Sequence, residues 1–234
     1  MIMKKNTKFG LIISSTVAIG ILLLVTLQSE TDPLNASLEK NPVIIKTLDR
    51  NFGPIYASSG SPIIGSPDAP VTIMVFGDYQ CLGCKVWFLN TYPDIMENLI
   101  ETGKANLVFI DAELLGRDSL NASRAAYCAD EQGKYWEYNK ILYSNQQEIN
   151  NGWASPEGLK TFASDLELDM NLFENCLDSD KYQKKVKFNA YEAKTNGISK
   201  TPAFILVNSK GVHHKITGVT PYTVFEDMVE RMLN

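Results

Sequence analysis

The chain has 234 residues, 44% of them hydrophobic, and a formal net charge of −5. That is enough apolar material for one sizeable core, and an acidic balance with no basic cluster interleaved with aromatics excludes a nucleic-acid partner. Between Gly65 and Asn234 there are 16 basic and 23 acidic residues, so positive charge is concentrated at the start.

At that start, Lys4, Lys5 and Lys8 precede the uncharged, mostly apolar segment FGLIISSTVAIGILLLVTL, residues 9 to 27. A stretch of roughly 20 apolar residues spans a hydrocarbon core. The basic flank places its N-terminus in the cytoplasm and the rest of the chain outside. The exit, VTLQSETD, has no A-x-A cleavage pattern, and no cysteine lies nearby to take a lipid. Residues 1–28 are therefore expected to be a retained single-pass membrane anchor; the alternative is a cleaved signal that leaves a secreted or periplasmic domain. Export permits disulfides. All four cysteines, Cys81, Cys84, Cys128 and Cys176, fall on the exported side, and four cysteines allow three connectivities.

Residues 29–60, rich in Ser, Pro, Asn and charge with one apolar island, PVIIKTL, are expected to be a linker. The domain is expected to run from Ser61 to Asn234. SPIIGSPDAP predicts a short edge strand and a turn fixed by Pro67 and Pro70. VTIMVF (71–76) and ANLVFIDAEL (105–114) are continuous apolar runs of the kind that form strands buried on both faces. Between them a helix is predicted from about Cys81 to Thr102, broken or kinked at Pro93. Ser119, Asn121 and Ser123 offer N-caps for a helix ending near Asp130.

From 134 to 196 the pattern is helical throughout: KYWEYNKILYSNQ, SPEGLKTFASDL, DMNLFENCL and DKYQKKVKFNAYEAKTNG. Ser155 followed by Pro156 is a good helix start, and Gly197 a C-terminal cap. PAFILVN (202–208) predicts a strand, Asn208 to Gly211 a turn, and VHHKIT (212–217) the returning arm of a hairpin. The last segment places Tyr222, Phe225, Met228, Val229 and Met232 on one helical face. The order is β-α-β, a block of helices over about 117–197, then β-β-α. One central mixed sheet with helices on both faces accommodates it. The fold class is α/β, the thioredoxin plan with a helical insertion.

Two thiols at the junction of a buried strand and a helix have a specific chemistry. Unsatisfied backbone N–H groups and the helix dipole favour an anion at a helix N-terminus, so the thiol of Cys81 should ionise below its free value of about 8.5. Cys84 lies one turn on and can resolve a mixed disulfide. A zinc site needs a second close pair, whereas Cys128 and Cys176 stand 48 positions apart. A purely structural Cys81–Cys84 bridge would close too small a loop to be worth much. His213 and His214, adjacent on a strand, point to opposite faces and make no joint metal site. Asn35 and Asn121 begin N-x-S sequons, which matter only in a host that glycosylates exported proteins.

On these residues the chain resembles the DsbA-like thiol–disulfide oxidoreductases, of the DsbA and BdbD type, in the thioredoxin superfamily. The matching stretches are GSPDAPVTIMVFGDYQCLGC, AAYCADEQGKYWEYNKILYSNQ, LDMNLFENCLDS and NGISKTPAFILVNSKG, in the family's order. The resemblance implies that Pro202 is cis and packs beside the active-site disulfide, and that Thr201 offers its backbone to an extended substrate; a trans proline merely starting an edge strand is the plainer alternative. Cys128 and Cys176 lie on two predicted helices of the insertion among apolar residues. Export and the resemblance both imply a structural disulfide between them, against the alternative of two separate buried thiols.

The departures are equally informative. Leu82 and Gly83 stand where the family's strong oxidants usually carry Pro-His or a similar pair, and neither adds thiolate stabilisation. Val75 occupies the place, six residues before the first cysteine, where the family often has a buried acid. Asp78 is the nearest carboxylate in sequence, a candidate proton acceptor for Cys84 and equally a turn or capping residue. Lys85, four residues after Cys81, is either a favourable charge or simply solvated. The implied activity is exchange of disulfides with exported cysteine-containing proteins, with no cofactor beyond the redox-active cysteines and a membrane partner that recycles them. Oxidation is the first reading. A reductase or isomerase on the same scaffold, or a thiol module that holds Cu(I), is the rival.

Overall fold

The computed structural model describes residues 44–45, 55–56 and 59–234. The predicted anchor lies outside them; among the described residues no helix is long and apolar enough to cross a membrane. Within the predicted linker, β1 (Ile44–Ile45) pairs antiparallel with β2 (Ile55–Tyr56). The main sheet has four strands, β3 (Val71–Gly77), β4 (Ala105–Asp111), β5 (Ala203–Asn208) and β6 (His213–Thr217), in the order β4-β3-β5-β6. β3 and β4 are parallel, with Val71 opposite Ala105 and Gly77 opposite Asp111. β5 runs antiparallel to β3, and β6 to β5.

The continuous apolar run of β3 has the consequence expected of it: every residue is buried. Val71, Ile73 and Val75 enter one core with Trp87, Phe204, Phe225 and the interior of the insertion. Met74 and Phe76 face the opposite side and meet Val108, Ile110, Ala193, Ile198 and Ile205. The predicted edge strand near Ser61 is reduced to a single antiparallel bridge between Ile64 and Leu107, with Ser61 N–H donating to the Phe109 carbonyl at 2.8 Å. Pro62 and Pro67 lack the N–H a longer ladder needs.

Between β3 and β4 the predicted helix is three pieces: α1 (Leu82–Asn90), α2 (Tyr92–Ile95) and a π-helical turn over Met96–Ile100. Pro93 has no N–H to continue the ladder, and the break falls at Thr91, as the position of the proline requires. Four helices of the insertion follow β4: α3 (Arg117–Asp130), α4 (Tyr135–Ser144), α5 (Pro156–Asp165) and α6 (Met170–Asp178); α7 (Gln183–Thr195) returns to the sheet. Ser155 caps α5, its hydroxyl accepting from Gly158 N–H at 3.3 Å. Gly197, at φ 68°, ends α7 in the left-handed conformation foreseen for it.

Two boundaries differ from the sequence reading. The strand predicted over 105–114 stops at Asp111, and Leu114 and Leu115 turn their N–H groups to Asp78 instead of a ladder. α3 begins at Arg117 behind Gly116, whose φ is 106°, so Ser119, Asn121 and Ser123 lie inside the helix and cap nothing. Ser119 is instead drawn into a buried hydrogen-bond network described below. α8 (Tyr222–Leu233) buries Phe225, Val229 and Met232, with Tyr222 and Met228 partly buried beside them. At the far end of β4, Asp111 accepts from the Tyr127 hydroxyl at 2.5 Å and from Asn189 Nδ2 at 3.1 Å. That knot ties the sheet to α3 and α7, and burial raises the pKa of the Asp111 carboxyl.

Candidate active site

The chain leaves β3 at Gly77, where a methyl group would meet the Phe109 ring at 2.3 Å. Only glycine fits. The turn that follows is organised by Asp78, which is 2% exposed. One oxygen accepts from Gln80 N–H at 2.8 Å and from the Ser119 hydroxyl at 2.6 Å; the other accepts from Leu114 N–H at 2.7 Å and Leu115 N–H at 3.0 Å. These bonds occupy the roughly four acceptor sites of an ionised carboxylate. Asp78 therefore joins the β3–α1 turn to the segment after β4.

Cys81 is the N-cap of α1 and half-buried, while Cys84 is 2% exposed. Both are free thiols in this structure. The two environments push in opposite directions. The Cys81 thiol is brought down from 9.0 to about 6, first by the hydrogen bond from the Cys84 side chain, then, against some burial, by the Thr201 side chain and the backbone N–H groups of Cys84 and Gly83. Those last two donors are the helix terminus anticipated from the sequence, but they are minor beside the neighbouring thiol. Burial, and then the bond to Cys81, raise the pKa of the Cys84 thiol well above its usual value.

Thr201–Pro202 is a cis peptide. Its loop closes over the thiols: Cys81 Sγ donates to the Thr201 carbonyl at 3.2 Å when protonated. A methyl group placed on Gly83 would stand 3.1 Å from Pro202 Cδ and 3.3 Å from Val219 Cγ2. The glycine of the Leu82-Gly83 pair is thus what lets the proline loop sit close on the helix. Leu82 itself is 69% exposed. Val75 is buried and leaves no carboxylate beneath Cys84. Tyr143 stands near there instead, its hydroxyl buried without a partner; burial first, and then the charge of Cys84, raise its pKa.

Cys128 and Cys176 are joined, with their Cα atoms 5.7 Å apart, across α3 and α6. Among the described residues no group of three or more His, Cys, Asp or Glu is arranged to hold a metal ion. Three polar residues next to the C-x-x-C escaped the sequence reading. Gln80 donates to Ser119 Oγ at 2.9 Å and accepts from Asn150 N–H at 2.6 Å. Gln146 donates to the carbonyls of Tyr79 and Cys81. The only sequence signal of Gln146 and Asn150 is an unusually amide-rich loop, NQQEINN, between two helices, and Gln80 has none beyond its place before Cys81. Lys85 is not merely solvated, because its Nζ donates to the Gln146 carbonyl at 3.3 Å.

A nucleophile-grade thiol paired with a buried, protonated one on this fold defines a thiol–disulfide oxidoreductase. The family model described as Thioredoxin matches residues 57–220. Disulfide bond formation protein D of Bacillus subtilis (strain 168) is 27% identical over 177 residues, which cover 74% of this chain and 78% of that one. In fold, the chain is similar to oxidised BdbD from Bacillus subtilis, with a TM-score of 0.67 at 24% identity over 74% of this chain and 93% of that one. It is likewise similar to Wolbachia pipientis alpha-DsbA1, at 0.65 and 22% over 73% and 89%. The chain belongs to the thioredoxin family, as one of its DsbA-like members.

The divided pair makes a direct expectation. Alkylation of the reduced protein by iodoacetamide should follow a single ionisation near pH 6, rising above it and flat by pH 8, with all of the label on Cys81. Peptide mapping of the labelled protein checks it; equal labelling of Cys84, or a midpoint near that of a free thiol, would contradict the assignment.

Proposed function

We propose that the protein is an exported oxidase that donates the Cys81–Cys84 disulfide to extracytoplasmic proteins. A substrate thiolate attacks Cys81 Sγ, the Cys81–Cys84 bond breaks, and Cys84 leaves with the electron pair and takes up a proton. A second substrate thiolate then attacks the substrate sulfur of the mixed disulfide. The new substrate disulfide forms, and Cys81 leaves as a stable thiolate. The backbone of Thr201, beside cis-Pro202, holds the substrate strand. Asp78 keeps the loop in shape and is not the proton acceptor.

The observation that carries this reading is the placement of the two thiols, half-buried Cys81 at the N-cap of α1 against the cis Thr201–Pro202 loop and Cys84 buried behind it, an arrangement that brings the Cys81 thiol down to about 6. A fold that favours the thiolate stabilises the reduced form, and so makes the disulfide form give up its bond readily. That gain is present in full above the ordinary thiol value and fades as the pH falls through about 6. The relatives named disulfide bond formation protein D support the direction of exchange. Export is supported by the basic and apolar N-terminal segment and by the Cys128–Cys176 bridge, of a kind that persists in oxidising compartments. On this reading residues 61–234 form the working domain, residues 29–60 tether it to the membrane, and a membrane redox partner reoxidises Cys84 and Cys81.

One observation favours a weaker oxidant or an isomerase: Leu82-Gly83 supplies no histidine to the thiolate. Equilibration with glutathione buffers decides the matter. The expected potential lies between roughly −180 and −120 mV, the range from protein disulfide isomerase to DsbA. A value near −270 mV, that of thioredoxin, would replace the oxidase by a reductase. Stoichiometric, tight uptake of Cu(I) without exchange activity would replace both by a copper-binding module.

A further inference from the structure

The loop between α4 and α5 grips the C-x-x-C segment from the side of the insertion. Gln146 Nε2 donates to the Tyr79 carbonyl at 2.7 Å and to the Cys81 carbonyl at 3.1 Å. Both partners are acceptors, so the amide must present its nitrogen, and both of its hydrogens are used. The Cys81 carbonyl also accepts the Lys85 N–H at 3.1 Å as the first bond of α1. The main-chain carbonyl of Gln146 holds Lys85 Nζ, one turn from Cys81. Four residues further on, Asn150 Oδ1 accepts from Gln80 Nε2 at 3.2 Å, and its N–H donates to Gln80 Oε1. Residues 79, 80 and 81 are therefore each held by this one loop.

Granting the exchange reaction at Cys81, we propose that Gln146 is a positioning residue for that thiol, the link through which the helical insertion sets the reactivity of the nucleophile. Two effects act together. Bridging the carbonyls on either side of Gln80 fixes the backbone that leads into the helix, and with it the direction of the Cys81 side chain toward Thr201. The two amide hydrogens also offset the negative ends of those carbonyl dipoles, one of them on Cys81 itself, in partly desolvated surroundings, and so ease the formation of negative charge on that residue. Among the described residues Gln146 is the side chain that donates to the Tyr79 and Cys81 carbonyls, so the hold comes from the insertion and not from the sheet or α8.

The test is a charge series at one position, Gln146→Ala, Gln146→Glu and Gln146→Lys, read by the pH profile of Cys81 alkylation. The ionisable groups facing Cys81 are Cys84 and Lys85 on α1, Asp78 in the turn and Tyr143 on α4, and all stay in place. Gln146→Ala should lower the thiolate-to-thiol ratio about threefold, as loss of a neutral hydrogen bond does. The glutathione equilibrium should move the same threefold, about 15 mV, toward the disulfide form. Gln146→Glu keeps the length but sets a carboxylate against two carbonyls, and should raise the midpoint further, about tenfold. Gln146→Lys restores donors with a full charge and should bring the midpoint back to or below that of the parent. A role in stability alone would lower the melting temperature in all three with no such order. Midpoints that do not follow that order, or unchanged profiles in the Ala and Glu variants, would overturn the proposal. Alkylation needs no protein substrate, so its result stands apart from whether the protein proves to be an oxidase.

Discussion

In the Cys84→Ala variant the Cys81–Cys84 disulfide cannot form, so catalytic turnover should cease, and exported proteins with no second thiol placed to attack should accumulate covalently attached to Cys81. Attack on Cys81 needs only an electrophilic sulfur there, which a small-molecule disulfide can supply. What the variant lacks is the thiol within reach of Sγ that would release the complex in the reverse direction. In the parent that thiol is close enough to be the largest influence on the ionisation of Cys81. Cys81→Ala removes the half-buried, accessible sulfur and leaves one that is 2% exposed, so exchange should fall to the uncatalysed background and few adducts should form. Non-reducing electrophoresis of the two variants, followed by identification of the attached proteins, makes the comparison. Equal trapping by both would show that the buried sulfur is reachable and would reverse the assigned roles. Cys84→Ala should also raise the alkylation midpoint of Cys81, since it deletes that hydrogen bond. A midpoint that stayed near 6 would transfer the credit to the helix terminus and the Thr201 side chain.

That redistribution marks where the sequence was legible and where it was not. Strands buried on both faces announce themselves as unbroken apolar runs, so β3, β4 and β5 could be placed from VTIMVF, ANLVFIDAEL and PAFILVN, the second overrunning its strand by three residues. The break near Pro93 and the turn at Gly197 were equally open, because each follows from a backbone property of a single residue. The Cys81–Cys84 pair was legible for the same local reason. The contacts that tune it were not. Ser119 was read as a helix cap because its local sequence suits one, yet its hydroxyl serves Asp78, 41 positions away. Gln146 reaches Cys81 across 65 positions. A glutamine in an exposed-looking loop carries no periodicity and no motif. Only the packing of α4 against α1, set by Phe88 and Tyr143 with ring centroids 5.0 Å apart, brings it there. Asp78 shows the intermediate case: its place beside the C-x-x-C was visible, but its bonds to Leu114, Leu115 and Ser119, 36 to 41 positions away, were not.

The second disulfide should behave as a brace of the insertion with no share in exchange. Cys128 on α3 and Cys176 on α6 enclose a separation of 48 residues. Closing a loop of that length removes chain entropy worth at most about 4 kcal/mol from the unfolded state. The double variant Cys128→Ala with Cys176→Ala should lose about 2–4 kcal/mol, a fall in melting temperature on the order of 5–15 °C for a domain of this size. It should still fold. Arg124 on α3 donates to the Leu177 carbonyl at 2.5 Å and pairs with Asp180, and Phe173 and Leu177 remain buried in the shared core. Exchange activity should be largely spared, because Gln146 and Asn150 hold the C-x-x-C segment from the loop after α4, which carries neither Cys128 nor Cys176. In the parent, mild reductant should open Cys81–Cys84 while Cys128–Cys176 stays closed, since a buried structural bridge has the lower potential. Counting thiols by mass spectrometry during a graded reduction, together with a melting curve for the double variant, measures both. Simultaneous opening of the two bridges, or loss of exchange activity without loss of stability, would instead make Cys128–Cys176 a relay that passes electrons through the insertion.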